Sequence, residues 1–129
     1  MSQLTLTILP TDLVVCRLPP GADWPAWATS GPLVSISRTA DELSVVCAAA
    51  DVPDDVPATM RCEPDWRAFK VEGPLDFGLT GVLASLANPL AEAKISIFAI
   101  STFDTDYVLV KAVDLDAAAA VLMRFCAVR

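Results

Sequence analysis

The stretch at residues 95–110, ISIFAISTFDTDYVLV, constrains the fold of this chain more than any other. Two strongly apolar runs, rich in Ile and Val, flank a polar tip at residues 101–106. Runs of this kind indicate two strands that form a hairpin and pack against helices. Because the tip crowds hydroxyl and carboxylate oxygens onto this rigid frame, the sequence predicts a binding site there.

The composition narrows the class of protein. The chain has 129 residues, of which 54% are apolar, enough for one compact domain or two small modules sharing a core. A net charge of -7, with nine basic residues against sixteen acidic ones, argues against a nucleic-acid partner. No run approaches the ~18 apolar residues of a membrane span, and the start lacks a basic leader region. We therefore expect a cytoplasmic protein with no membrane partner.

Four cysteines are spread along the chain without C-x-x-C spacing, and histidine is absent. A zinc site or a Cys-His catalytic pair is therefore improbable, and no cofactor or metal is expected. The apolar neighbours of each cysteine indicate small core residues, and the sequence alone does not show whether any pair forms a disulfide. These residues are Cys16, Cys47, Cys62 and Cys126.

Hydrophobic periodicity predicts the order of strands and helices. Strands are expected at residues 4–9 and 13–16 around a tight turn, and further along at 33–37, 43–47 and 66–71. Three prolines and four acids at residues 51–64 indicate a surface connection. Helical spacing predicts one helix at residues 80–93, with Thr80 as its N-cap, and another at residues 115–125, capped by Asp114 or Asp116.

The sequence also predicts an internal repeat. Residues 36–37 match residues 100–101, and Glu42 falls opposite Asp106, at an offset of 64. A second match further upstream has an offset of 53. The first copy is therefore 11 residues shorter than the second (64 − 53). Eleven residues at ~1.5 Å per residue make about three helical turns. The first copy is therefore expected to have a truncated helix.

These elements predict an α+β fold made of two ferredoxin-like βαββαβ modules in tandem, with antiparallel sheets and helices on one face. The predicted modules are residues 1–64, which look degenerate, and residues 65–129. Since the second copy ends with few residues for its last strand, the strand at residues 4–9 is expected to complete its sheet.

Residues 65–129 contain five motifs whose sequences and order resemble those of a known family: GPLDF, LTG, PLA, ISIFAISTF and TDYVLV. They resemble the C-terminal module of small bacterial proteins with tandem ACT domains, and the ACT subfamily of the animal cytosolic arginine sensors. Over residues 1–64 the resemblance rests on the strand pattern and Trp24. It implies a regulatory module that binds a small molecule, usually an amino acid, at an interface between paired domains.

The resemblance also implies site residues. Asp106 falls where the arginine sensors use an aspartate near the ligand, and Thr102 and Phe103 fall where they use backbone and ring contacts. Asp104 lies in the same tip. Leu79, however, replaces a glutamate that contacts the ligand in those sensors, and this difference argues against arginine as the ligand.

Elementary chemistry supports a two-sided site. An amino acid presents an ammonium group, which Asp106 could accept, and a carboxylate, which needs N–H donors. The turn Gly78-Leu79-Thr80-Gly81 precedes the predicted helix, whose first N–H groups lack intrahelical partners and favour an anion. The competing interpretation is that Asp106 only closes the turn and the glycines serve only turn and packing roles.

The sequence evidence leaves two classes of function other than catalysis. Asp104 and Asp106 could form an acid-base pair, but nothing else supports an enzyme. The favoured hypothesis is an amino-acid sensor without catalytic activity, which acts through association because no output domain is attached. The alternative is a structural or protein-interaction module with a vestigial ligand site. Sheet edges and the high apolar content predict a homodimer, and an unidentified protein partner would receive the signal.

Overall fold

The computed structural model describes residues 3–76 and 78–129, and the chain divides into two compact units. The N-terminal unit is Thr11–Trp66. The C-terminal unit joins the residues up to Pro10 with Arg67–Arg129. Within the described residues, neither helix combines the length and the apolar character that a membrane span requires.

The C-terminal unit follows the order βαββαβ, which confirms the predicted α+β, ferredoxin-like fold. One additional strand comes from the beginning of the chain. The elements are β1 (Thr5–Ile8), β5 (Arg61–Val71, of which the last five residues belong to this unit), α1 (Val82–Glu92), β6 (Ile97–Ser101), β7 (Asp106–Lys111), α2 (Leu115–Leu122) and β8 (Ala127–Val128).

The sheet of this unit has the strand order β6-β7-β5-β1-β8. Strand β1 runs antiparallel to β5, with Leu6 opposite Val71, and parallel to β8, with Leu6 opposite Val128. Leu6 is fully buried in the core that both helices cover. The first strand of the chain therefore lies inside the sheet of the C-terminal unit, between its first and last strands.

The helices form where apolar side chains recur at helical spacing, and they bury those side chains. Helix α1 buries Leu86 and Leu90, and α2 buries Val121 and Leu122 in the same cluster. Helix α1 starts at Val82, two residues later than predicted. The expected cap at Thr80 is wrong, because the cap residue adopts left-handed geometry, φ 76°, which Gly81 tolerates and a β-branched threonine does not. Helix α2 ends at residue 122, three residues before the predicted end.

The N-terminal unit is built from strands. Residues 11–66, all of which are described, contain no α-helix, and their sheet has the order β3-β4-β2-β5. Its core packs mainly apolar side chains and two cysteines from β2, β3 and β4, from the loops between them and from the segment that leads to β5. The strands are β2 (Leu13–Leu18), β3 (Ser35–Arg38), β4 (Leu43–Ala48) and the first residues of β5.

Strand β5 begins at Arg61, five residues before the predicted start. The supposed connection at residues 51–64 therefore ends in a strand that pairs with β2, and Val15 lies opposite Glu63. The pairing register shifts between Leu13 and Val15, and Asp65 adopts a positive φ of 67°. Such a bulge accommodates Pro64, which cannot donate a hydrogen bond to a regular ladder, and the proline is the reason that the sequence favoured a loop.

The predicted tight turn between the first two strands is not a hairpin. Within residues 5–18, all described, β1 and β2 form no ladder with each other. Each pairs instead with the part of β5 that belongs to its own unit.

The two hairpins, β3–β4 and β6–β7, define the internal repeat. Each ends in a four-residue tip, at residues 39–42 and 102–105, so equivalent positions differ by 63 (102 − 39). The offset of 64 predicted from the sequence is therefore wrong by one residue. Glu42 corresponds to Thr105, and Leu43 takes the place of Asp106.

Candidate ligand-binding site

A cavity of about 180 Å³ opens at the tip of the β6–β7 hairpin in the C-terminal unit. Three segments meet around it: the loop after β5, the first residue of α1 and the hairpin tip. The residues that line it are Leu75, Asp76, Leu79, Val82, Ser101, Thr102, Phe103, Asp104, Thr105 and Asp106. The tip and the region before α1, which the sequence placed on two sides of one site, thus meet at one cavity.

Five of the eight residues predicted for the site line the cavity: Leu79, Thr102, Phe103, Asp104 and Asp106. The other three, Gly78, Thr80 and Gly81, do not line it. The structure adds side chains that the predicted set lacked, among them Ser101, Leu75 and Val82. Ser101 could have been found from the hairpin pairing, which puts it opposite Asp106, whereas Val82 follows only from the later start of α1.

Hydrogen bonds orient the carboxylate at the start of β7. Ser101 and Asp106 are partners in the last pair of the ladder before the tip. The Ser101 hydroxyl donates to Asp106 Oδ1 at 2.6 Å. Across the tip, the Thr102 N–H donates to the Thr105 carbonyl at 2.8 Å. Asp106 therefore has a fixed orientation and retains a second carboxylate oxygen for a ligand.

The tip is also attached to the end of β5. Thr105 is 6% exposed, and its hydroxyl donates to the Val71 carbonyl. The Leu75 N–H donates to the Asp104 carbonyl at 2.7 Å. A Cβ at Gly73 would lie 3.0 Å from that same carbonyl oxygen, so the absence of a side chain permits this close approach. Hydrogen bonds within the protein thus hold the cavity wall in place.

The predicted N–H donors before α1 are partly used within the loop. The Gly78 N–H donates to Asp76 Oδ1 at 2.7 Å, and the Leu79 N–H donates to the Asp76 carbonyl at 3.0 Å. The first helical bond runs from the Ser85 N–H to the Gly81 carbonyl. The N–H groups of the first turn, which starts at Val82, have no intrahelical acceptor. The donors that remain for an anion therefore lie at the start of α1, not at Gly78 or Leu79.

The cavity carries negative charge on an apolar surface. Three carboxylates line it, those of Asp76, Asp104 and Asp106, and no lysine or arginine is among its lining residues, all of which are described. Leu79 is 54% exposed and Phe103 is 78% exposed, so neither is a core residue. The arrangement suits a small ligand with a cationic group beside an apolar one.

A second, more polar cavity of about 230 Å³ lies at the same hairpin tip, and it was missed by sequence reasoning. Lys70 and Glu72 are among the residues that line it. Glu72 accepts a hydrogen bond from the Thr7 hydroxyl at 2.6 Å, and this bond lowers the pKa of the Glu72 carboxyl below its ordinary value. No three His, Cys, Asp or Glu side chains in the described part of the chain are grouped to hold a metal ion.

Known proteins resemble this chain in sequence. The family model described as ACT domain matches residues 61–124, and a second model, described as an N-terminal domain, matches residues 12–55. The cytosolic arginine sensor for mTORC1 subunit 1 of Rattus norvegicus is 32% identical over 101 residues, which are 75% of this chain and 30% of the sensor. The chain thus spans less than a third of the length of the curated relatives that it matches.

Solved structures resemble it as well. A crystal structure of a protein from Agrobacterium tumefaciens is 38% identical and has a TM-score of 0.89, covering 100% of this chain and 94% of that one. The regulatory subunit of aspartate kinase from Thermus thermophilus shares the fold at 10% identity, with a TM-score of 0.62 over 93% of this chain and 95% of that one. The match to the ACT model covers both helices and the hairpin that carries the cavity, and on this evidence the chain belongs to the ACT-domain family.

Proposed function

We propose that this protein is a regulatory protein without catalytic activity, which binds an α-amino acid in the cavity at the β6–β7 tip. The observation that carries the proposal is the meeting of the Asp106 carboxylate and the first turn of α1 at one cavity. An amino acid has a cationic group and an anionic group on the same carbon. A carboxylate and a helix N-terminus at the same cavity complement these two groups.

The two charged groups of the ligand have distinct positions in this proposal. The ammonium group binds Asp106, whose orientation is fixed by Ser101, with Asp104 and Asp76 adding negative potential. The ligand carboxylate accepts hydrogen bonds from the first N–H groups of α1 beside Val82. A cavity of about 180 Å³ is smaller than the roughly 300–1,000 Å³ of pockets for drug-sized ligands, so a single small metabolite fits it.

The side chain of the ligand is expected to be uncharged. Leu79 and Phe103 are exposed apolar residues at the cavity, together with Leu75. They can cover an apolar or small side chain, and Leu79 offers no acceptor to a guanidinium group at the position where the resemblance to the arginine sensors implies a glutamate. We therefore propose an amino acid other than arginine, although the relative from Rattus norvegicus is named an arginine sensor.

The proposed site exists only in the C-terminal module, residues 65–129 completed by the strand at residues 4–9. In the N-terminal module, residues 1–64, the position of Asp106 is taken by Leu43, which is 1% exposed and belongs to the core. A buried leucine cannot bind an ammonium group. The N-terminal module is therefore degenerate with respect to ligand binding.

In this proposal, ligand binding acts through a change in association. We propose a cytoplasmic homodimer whose affinity for itself, or for a protein partner, differs between the empty and the occupied state. Exposed apolar side chains just after α2 supply a surface for this: Met123 is 56% exposed and Phe125 is 52% exposed. The same residues support the second candidate function, an interaction module without a ligand.

A thermal-shift panel of the twenty amino acids tests the proposal. A ligand present at ~100 times its dissociation constant adds about 2.7 kcal/mol to the free energy of unfolding, which raises the melting temperature by several degrees. We expect this rise with one or a few amino acids that have uncharged side chains. A panel without any rise, combined with a concentration-dependent dimer, would support the interaction module instead.

A further inference from the structure

Two cysteines face each other across strands of the N-terminal unit. Cys16 on β2 and Cys62 on β5 are directly opposed in the antiparallel ladder. Their sulfur atoms lie 3.0 Å apart, and both are free thiols. The 46 residues that separate them in sequence explain why spacing alone gave no sign of this pair.

The backbone geometry suits a disulfide bond. Directly opposed residues in an antiparallel pair have Cα atoms roughly 4.5 or 5.5 Å apart, depending on the position in the ladder. Disulfides span Cα distances of roughly 4.4–6.8 Å, and both of these spacings fall within that range. Bond formation then needs only a small rotation of the side chains, because the two sulfur atoms are already in contact.

The two thiols differ in access to solvent. Cys62 is exposed, whereas Cys16, Cys47 and Cys126 are buried, and all four lie in the described part of the chain. A buried cysteine is readily explained as a small core residue, and Cys16 and Cys47 belong to the core of this unit. This explanation fails for Cys62, an exposed residue whose sulfur nevertheless lies against that of the buried Cys16.

We propose that Cys16 and Cys62 form a reversible disulfide when the protein meets a hydroperoxide. The Cys62 sulfur attacks the peroxide, the O–O bond breaks, and the products are the sulfenic acid of Cys62 and water or an alcohol. The Cys16 sulfur then attacks the Cys62 sulfur, the S–O bond breaks, and the oxygen leaves as water with the Cys16 proton. In total, two thiols are oxidised to one disulfide and one peroxide is reduced.

The order of these steps follows from burial. Burial, together with the hydrogen bond to Cys62, keeps the pKa of the Cys16 thiol well above its usual range. Cys16 is therefore a poor first nucleophile and is shielded from the oxidant. Its sulfur lies against that of Cys62, so it acts as the second, resolving thiol and gives up its proton to the departing oxygen as it attacks. The exposed Cys62 makes the first contact with the peroxide.

The bond would covalently join β2 to β5 within the N-terminal unit. It would close a loop across 46 residues, and loops of this length lose much conformational entropy in the unfolded chain. We expect the melting temperature to rise by roughly 10 °C on oxidation and to return on reduction.

The experiment treats the full chain with a small excess of hydrogen peroxide and counts free thiols in denaturant. The thiol count is expected to fall from four to two, to return to four with dithiothreitol, and peptide mass mapping should find Cys16 joined to Cys62. Cys62→Ser should lose no thiol pair, and neither should Cys16→Ser. Cys47→Ser and Cys126→Ser, the matched controls, should still lose two.

Three results would overturn the proposal. They are a wild-type count that stays at four, oxidation of Cys62 to a sulfinic acid without a bond to Cys16, and a mass map that joins Cys62 to a second copy of the chain. If Cys16→Ser fails to fold, two measurements still test the proposal. They are the peptide mass map of the oxidised wild-type protein and the thiol count of Cys62→Ser, in which the substituted residue is exposed.

Discussion

Thr39 and Thr102 make the same hydrogen bonds at the tips of two hairpins, one in each unit. The Thr39 N–H donates to the Glu42 carbonyl at 2.9 Å, and the Thr102 N–H donates to the Thr105 carbonyl at 2.8 Å. In both tips the N–H of the fourth residue donates back to the threonine hydroxyl, at 3.1 Å from Glu42 and 3.3 Å from Thr105. The two units therefore share one hairpin design, and differ in the residue that follows the tip.

That following residue separates the two units chemically. It is Leu43 in the N-terminal unit, where the side chain is buried in the core, and Asp106 in the C-terminal unit, where it lines the cavity. A single position thus supports packing in one hairpin and, in our proposal, ligand recognition in the other.

The contact between the tip and the loop after β5 predicts that Gly73→Ala lowers the free energy of unfolding. The new Cβ would meet the Asp104 carbonyl oxygen and the Leu75 nitrogen at 3.0 Å, and both are backbone atoms that cannot rotate away. We expect a loss of about 1–3 kcal/mol in the free energy of unfolding and weaker ligand binding.

Gly21→Ala is the matched control, because its Cβ would meet nothing within 4 Å. It should be neutral or add about 0.4–1 kcal/mol by restricting the unfolded chain. Urea denaturation measures both variants. Equal stability of the two would contradict the close approach at Gly73.

Burial predicts opposite outcomes for one substitution at two leucines. Leu86 in α1 is 1% exposed, so Leu86→Ala should cost about 2–5 kcal/mol of the free energy of unfolding. Leu79 is 54% exposed, so Leu79→Ala should change that energy by less than about 0.5 kcal/mol while weakening binding of an apolar amino acid. Denaturant melts with and without ligand separate the effects, and a large loss of stability in the Leu79 variant would be inconsistent with its position.

The hydrogen bond from Ser101 to Asp106 predicts a selective loss of affinity. Ser101→Ala removes the donor that orients the carboxylate, and a bond worth about 1 kcal/mol corresponds to roughly fivefold weaker binding. The unfolding energy should stay within about 0.5 kcal/mol, because Ser101 is exposed. Ser37→Ala, an exposed serine on β3, is the control that should leave affinity unchanged. Equal affinity of the two variants would show that Ser101 does not position the ligand site.

Stability should fall in alkaline solution through the buried thiols. Burial raises the pKa of Cys47 from 9.0 to about 11, because the thiolate is poorly solvated in the core. The unfolded chain loses the proton first, so this contribution is complete below pH 9 and is lost as the pH rises towards 11. Cys47→Ala should show a shallower decline over that range in reducing buffer. Identical slopes for the variant and the wild-type protein would refute this explanation.

Much of the fold could be predicted because its local patterns agree with its tertiary structure. Apolar alternation and helical spacing found the strands and both helices, and the oxygen-rich tip between two apolar runs found the cavity wall. The start of α1 was misplaced because threonine is a preferred N-cap residue, and this favoured Thr80. Only the backbone conformation reveals that Gly81 is the cap and has left-handed geometry.

The rest depends on pairings between distant residues. Pro64 made the beginning of β5 look like a loop, and this hid the pairing of Cys62 with Cys16. The anchor of Thr105 on Val71, 34 residues away in sequence, leaves no periodic signal. Sequence patterns record which side chains face a core, but they do not record which strand lies beside which.

Titration calorimetry with Asp106→Asn tests the central claim most directly, using the amino acid that gives the largest thermal shift. Asparagine keeps an acceptor for the Ser101 hydroxyl and removes only the charge. Asp55→Asn is the control, since it removes one charge from an exposed residue of the N-terminal unit. The account predicts that the wild-type protein and Asp55→Asn bind one ligand per chain, and that Asp106→Asn binds at least about a hundredfold more weakly, as expected for a lost charge-assisted contact. Unchanged affinity in Asp106→Asn would contradict it.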